Sequence, residues 1–224
     1  MGGGRIDCYL DIASFFSYVA FVDLLANLDK LAAHGVKVDF HPVFLGAIMN
    51  GAGNKPPWMN KAKGRYLVHD TRRAARQVGL TDWGMPKDLL SLAKTPSPLR
   101  ALLFIKANYS PSTFHQAMLR LFRRFWKPPH ANLWDDAVLE YALVDDGLFP
   151  AQEVRRIMAG RESMRSLLEA ETSKALELGA FGAPWLWVSN AEGRGEPFFG
   201  SDRFEQIYTS LGVPHRKVEV VAKL

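Results

Sequence analysis

Cysteine is almost missing from these 224 residues: Cys8 stands alone, so no internal disulfide can form. A reducing compartment is the matching expectation. Long apolar runs are missing as well. Even the greasiest stretch, Ala101 to Ile105, is soon broken by charge, far short of the roughly 18 to 20 residues that cross a bilayer. The chain therefore reads as soluble, with no membrane span. Its six histidines are scattered and show no zinc or iron ligand spacing, so no metal is expected. The start, Met1-Gly2-Gly3-Gly4-Arg5, carries neither a secretory apolar region nor an Arg- and Ser-rich presequence.

What is present is a large apolar fraction, 48%, enough for one large domain or a domain with an insertion. The net charge is +5 and the pI about 9.3, a balance that raises a polyanionic partner. Its distribution points elsewhere. Arg72, Arg73 and Arg76, then Arg120, Arg123, Arg124 and Lys127, alternate with Leu and Phe in amphipathic helical patterns, as solvated helix faces do. No nucleic-acid partner is expected, whereas a small anion suits a modest positive field. The last residues, Ala222-Lys223-Leu224, have the small-basic-Leu pattern of a peroxisomal address; the peroxisome is the expected location, with cytoplasm and mitochondrion as alternatives.

Along the chain, Ile6 to Ile12 alternates apolar with polar and predicts a strand. Ser14 then stands where a helix cap belongs, and Ala20, Leu24, Leu25, Leu28 and Leu31 keep helical spacing until His34-Gly35. Val36, Val38 and Phe40 alternate again, completing a βαβ unit. From Gly46 to Pro57 turn formers dominate, which predicts a loop. Helical spacing follows near 59–78, 98–108, 112–126, 133–145, 151–159 and 163–178. Pro184 to Val188 and Glu196 to Phe199 then flank a turn cluster as a hairpin, and a last helix is expected from about Ser201 to Leu211. A late hairpin buries its apolar face by joining the first two strands in one sheet. The fold expected is α/β: a thioredoxin-like domain (βαβ…ββα) over 1–57 and 179–224, interrupted by an all-α helical domain over 58–178.

In thioredoxin-type redox proteins a C-x-x-C motif occupies the first turn of the helix after the first strand, where the helix N-terminus lowers a thiol pKa. Here that place holds Ser14-Phe15-Phe16-Ser17. A hydroxyl forms no disulfide, so dithiol chemistry is excluded at this turn. Two readings of Ser14 remain: a plain helix cap, or a donor that favours the thiolate of a bound thiol. Gly182-Ala183-Pro184 has two readings as well, an ordinary strand-opening proline or a cis peptide beside which an extended peptide ligand pairs. Gly200-Ser201-Asp202-Arg203 is either a helix cap or a seat for a carboxylate and an ammonium.

Together, and in this order, these segments resemble the kappa class of glutathione transferases and the related 2-hydroxychromene-2-carboxylate isomerases of the thioredoxin superfamily. The likeness rests on Tyr9 to Tyr18, Gly46 to Pro57 with its Gly-Asn-Lys-Pro-Pro end, Pro86-Lys87-Asp88, Gly179 to Pro184, and Phe199 to Arg203. It implies a homodimer that binds glutathione between its two domains. By position, Ser14 would hydrogen-bond the glutathione sulfur and Phe15 and Phe16 would flank it. Ala183, before a cis Pro184, would pair with the cysteinyl unit, Ser201 and Asp202 would hold the γ-glutamyl end, and Asn54 and Lys63 would add contacts. The implied activity is glutathione transfer to a small electrophile; a glutathione-dependent isomerase of an unsaturated aromatic-derived carboxylate and a non-catalytic thiol-binding module are the alternatives. Phe15 and Phe16 stand where the family usually has proline and tyrosine. Trp58, Trp185 and these two Phe are the candidates for an apolar acceptor pocket.

Overall fold

The computed structural model describes residues 3–216; the C-terminal tripeptide lies outside them. Its centre is a four-stranded sheet in the order β2-β1-β3-β4. β1 (Gly4–Leu10) pairs parallel with β2 (Val36–Pro42), and the helix between them is α1 (Phe15–Ala33). β3 (Trp185–Asn190) runs antiparallel beside β1, and β4 (Gly195–Phe199) closes the edge as a hairpin. The period-two pattern of β1 explains its seat. Ile6, Cys8 and Leu10 face α1 and the helical layer, all at 0% exposure, while Tyr9 faces the opposite side against Val43, Ile48 and Trp185. Cys8 lies opposite both Phe40 and Leu186, and complete burial pushes its thiol pKa far up, so it stays neutral and inert.

Between β2 and β3 the chain is helical, as its spacing predicts. α3 (Lys61–Gln77), the short α4 (Leu89–Leu92), α5 (Pro96–Asn108), α6 (Pro111–Trp126), α7 (Asp136–Val144), α8 (Ala151–Gly160) and α9 (Arg165–Glu177) make up the insertion, and α10 (Phe204–Ser210) is the last helix among the described residues. The thioredoxin-like sheet with an all-helical insertion is thus the observed fold. No helix among the described residues is long and apolar enough to cross a membrane. The helical layer is not a detachable lobe. Phe122, Phe125 and Trp126 of α6 and Leu99, Leu102 and Ile105 of α5 share one continuous core with α1 and the sheet.

One expectation fails in a clear way. The Gly46–Pro57 stretch is not all loop: α2 (Leu45–Gly51) forms there. Its glycines serve packing rather than turning. A Cβ on Gly51 would sit 2.9 Å from Leu176 of α9, and one on Gly46 would sit 2.8 Å from the Phe44 ring. Only the stretch after Gly51 keeps the loop character, with Gly53 at φ +64°. The last helix also starts later than expected, at Phe204, leaving Ser201 and Asp202 in the turn before it.

On the face bearing Tyr9, Asp7, Asp39 and His41 bring ligand-type atoms within 4.8 Å of one another. This charge is already matched: Arg5 bonds Asp7 and Asp39, and Lys106 reaches Asp39 at 2.6 Å. His41 is gripped at both nitrogens, by Asp7 at 2.9 Å and by Glu171 of α9 at 2.8 Å, and Tyr9 stacks on its ring. Burial lowers its pKa, but the two carboxylates raise it more, for a net rise. Asp7 is pushed up by burial and pulled further down, to about 2, by His41 and Arg5. A raised folded-state pKa means stability that is complete below the ordinary value of about 6.5 and lost as pH climbs through the folded value. Urea unfolding of wild type and His41→Gln should therefore show a stability gap at pH 6 that narrows by pH 9. A gap that widens toward pH 9 contradicts this reading.

Candidate functional site

The turn from β1 into α1 builds the site. Ser14 is the N-cap of α1, in extended backbone at φ −98° and ψ 115°. Its Oγ accepts from the Ser17 N–H at 3.1 Å and donates to the Ala183 carbonyl at 2.7 Å. Ser14 therefore caps the helix, and its proton points out of the helix at the carbonyl of the neighbouring loop. The turn is held rigidly. The Ser14 N–H bonds the Asp11 carbonyl at 3.0 Å, the Ala13 N–H bonds the Asp11 carboxylate at 2.9 Å, and Trp126 Nε1 donates to the Ile12 carbonyl at 2.8 Å.

Facing Ser14, the Ala183–Pro184 peptide is cis. The Ala183 N–H has no partner among the described residues, whereas its carbonyl is taken by Ser14. Gly200 N–H donates to the Pro184 carbonyl at 3.2 Å, which draws the Ser201–Asp202 turn to the same loop. Ser201 is buried with no hydrogen bond on its hydroxyl among the described residues, and Asp202 is exposed and paired only with its neighbour Arg203 at 2.9 Å. Asn54 reaches across from the end of the α2 segment, its Nδ2 donating to the Phe181 carbonyl at 2.7 Å. Lys63 lies exposed on the first turn of α3 with no ion pair among the described residues. Ser14, Ala183, Pro184, Ser201 and Asn54 are thus connected through the 181–184 loop; Lys63 has no bond into this network.

The two phenylalanines divide. Phe15 is turned into the core, its ring 4.2 Å from Trp83 and 5.2 Å from Trp126, while Phe16 is half-buried at its edge. Trp185 packs beneath the sheet with Tyr9 and Ile48. An open cleft of about 670 Å³ lies between α3 and the 83–90 segment. Of the expected aromatic lining only Trp58 reaches it; Leu67, Val68, Trp83, Met85 and Leu90 complete the apolar wall, with Arg72 and Lys87 at the rim. The reason is packing. Phe15, at the first position of α1, turns its ring into the interior against Trp83 and Trp126, and Trp83, not Phe15, lines the cleft. Sequence reading missed Asp11, Trp83 and Trp126; an acidic residue at a strand end, three before a cap, was the available signal for the first.

A family model described as a DSBA-like thioredoxin domain matches residues 5–212. The chain belongs to this family. Among its relatives it is 30% identical to glutathione S-transferase kappa 1 of Caenorhabditis elegans, over 94% of this chain and 92% of that protein. With glutathione S-transferase kappa 1 of Homo sapiens it shares 25% identity over 92% and 90%. Among solved structures, a 2-hydroxychromene-2-carboxylate isomerase superposes with a TM-score of 0.71 at 21% identity, covering 93% of this chain and 94% of that one. The cytosolic disulfide reductase DsbM from Pseudomonas aeruginosa, solved with GSH, superposes at 0.57 with 19% identity over 93% and 96%. This DSBA-like chain thus departs from dithiol redox proteins at the turn itself, where hydroxyls replace thiols.

Proposed function

We propose that the protein binds glutathione across the 181–184 loop and ionises its thiol at Ser14 for addition to a small electrophile. The observation that carries this is the juxtaposition of a hydroxyl at a long helix's N-terminus with the 181–184 loop, whose Ala183 N–H has no partner among the described residues. The relatives that bear the name glutathione S-transferase kappa 1 support it. Binding is an exchange of hydrogen bonds. The cysteinyl backbone of glutathione pairs with Ala183, and the Ser14 proton turns from the Ala183 carbonyl to the sulfur. Ser17 N–H keeps Oγ in place throughout. The α-carboxylate and ammonium of the γ-glutamyl end meet Ser201 and Asp202, with Asn54 and Lys63 on the far side.

The chemical gain has a size. A thiol of pKa about 8.5 is only a few per cent ionised at pH 7, and lowering it by about 2 units corresponds to about 2.7 kcal/mol. A hydroxyl donor and the positive end of α1 act in that direction. The decisive experiment is a titration of thiolate absorbance for glutathione bound to the protein. A midpoint well below about 8.5 is expected, and an unshifted one removes Ser14 from this role.

The electrophile is assigned to the cleft beside α3, one aromatic ring away from Phe15. Val68, exposed on its wall, is the place to narrow it. Val68→Trp should raise KM for an aryl halide about tenfold, the scale of apolar pocket discrimination, with the glutathione Kd unchanged; equal KM values would move the acceptor elsewhere. The cationic rim of Arg72 and Lys87 favours a second reading, an isomerase acting on an anionic substrate, and regenerated glutathione among the products would select it. A homodimer and a peroxisomal location complete the proposal. The exposed Phe181 and Phe199 beside the site support the first, the C-terminal tripeptide the second.

A further inference from the structure

Asp11 follows β1 and is wholly buried, with 0% exposure. Its carboxylate is a common acceptor for three separate segments. Oδ1 takes the Ala13 N–H at 2.9 Å, in the turn that carries Ser14. Oδ2 takes the Leu45 N–H at 2.7 Å, at the start of α2, and the Thr95 hydroxyl at 3.1 Å, at the start of α5 in the helical insertion. α2 leads directly to Asn54, whose N–H bonds the Met49 carbonyl at 2.8 Å. From α1, Ser17 also faces Asp11, its Oγ accepting from the Asp11 N–H at 3.5 Å. Among the described residues no charged side chain contributes to the shift in the Asp11 pKa.

We infer that Asp11 is a positioning residue: its ionised carboxylate holds the Ser14 turn, the α2–Asn54 segment and the start of α5 in one frame, and protonation releases that frame. The physical reason is the loss of charge. An ionised carboxylate accepts all three bonds at charge-assisted strength, whereas a neutral carboxyl group is a weaker acceptor for the Ala13 and Leu45 N–H groups and keeps Thr95 only by donating its own proton to a turned hydroxyl, so the frame loosens. Burial pushes the Asp11 carboxyl up to about 6, against the lowering pull of Ala13, Leu45 and Thr95, so the release falls in an accessible pH range. The consequence for ligand binding rests on the reading of Ser14 and Asn54 as glutathione contacts; the frame itself does not.

Two measurements test this on the full-length protein. In the ligand-free state, the backbone amide signals of Ala13 and Leu45 should titrate together with one midpoint near the value given above. That shared step should vanish in Asp11→Asn, move to higher pH in Thr95→Val, and return in Thr95→Ser. Binding of S-methylglutathione, which has no thiol to titrate, should weaken about tenfold from pH 7.5 to pH 5, a step worth about 1.4 kcal/mol. The fall should begin at higher pH in Thr95→Val. Separate midpoints for the two amides, or a Thr95→Val profile that overlays wild type, overturn the inference even where Asp11→Asn fails to fold. Shared titration without any S-methylglutathione binding leaves the frame standing and removes the glutathione reading instead.

Discussion

Ser14→Ala is expected to lower kcat for glutathione conjugation by about 10²- to 10³-fold, the range seen when one preorganised donor to a developing anion is removed. The substitution takes away two things. The thiolate loses its donor, and α1 loses a cap worth about 0.5–2 kcal/mol, because the same Oγ accepts from Ser17 N–H. Ser14→Asp separates the two effects. Aspartate caps helices as well as serine does, so the cap is kept, but a carboxylate cannot donate to the Ala183 carbonyl and its charge opposes a thiolate in the same place. Activity should therefore fall at least as far as in the alanine variant. An Asp variant that conjugates as fast as wild type would make Ser14 a cap and nothing more.

Trp126→Ala should cost about 3–5 kcal/mol, as truncation of a large buried aromatic does. Trp126 is 1% exposed, packs on Phe15 and Phe125, and spends its indole N–H on the Ile12 carbonyl. With Thr95, it is one of two places among the described residues where the helical insertion grips the Ser14 turn. The variant leaves a cavity beside Phe15 and a buried carbonyl without its donor, and the second effect alone is worth about 1–3 kcal/mol. Trp126→Phe isolates it, since most of the volume is kept. Chemical unfolding measures both, and glutathione affinity should fall with the alanine variant because the turn loses its backing. A loss below about 1 kcal/mol for Trp126→Ala, the scale of an ordinary substitution, would mean that the insertion does not brace the site.

Much of the frame was legible before any coordinates. Period-two alternation placed β1 and β2, and helical spacing placed α3 and α5 through α9, because these patterns record which face of each element is buried; the turn cluster between two short segments placed the β3–β4 hairpin. Two of the misreadings share one cause. Gly46 and Gly51 carry the signature of a turn, yet they lie in α2 so that Phe44 and Leu176 can come close. Phe15 reads as lining for an apolar acceptor pocket, yet it fills the space behind Trp83, outside the cleft. For Gly51 and Phe15 a contact distant in sequence, with Leu176 and Trp83, overrode the local preference.

The Ser14 turn shows where the division falls. A serine after a strand, at the head of an apolar-spaced helix, determines by itself that a cap forms there and that no disulfide can. Local chain stereochemistry and the chemistry of a hydroxyl suffice for that. The direction of the hydroxyl proton was decided by the tertiary structure alone, since Ala183 is 169 residues away along the chain. The same holds for Asp11, whose partners Leu45 and Thr95 lie 34 and 84 residues on. A buried carboxylate is stable only where donors converge on it, and that convergence exists only once sheet, α2 and helical insertion have packed together.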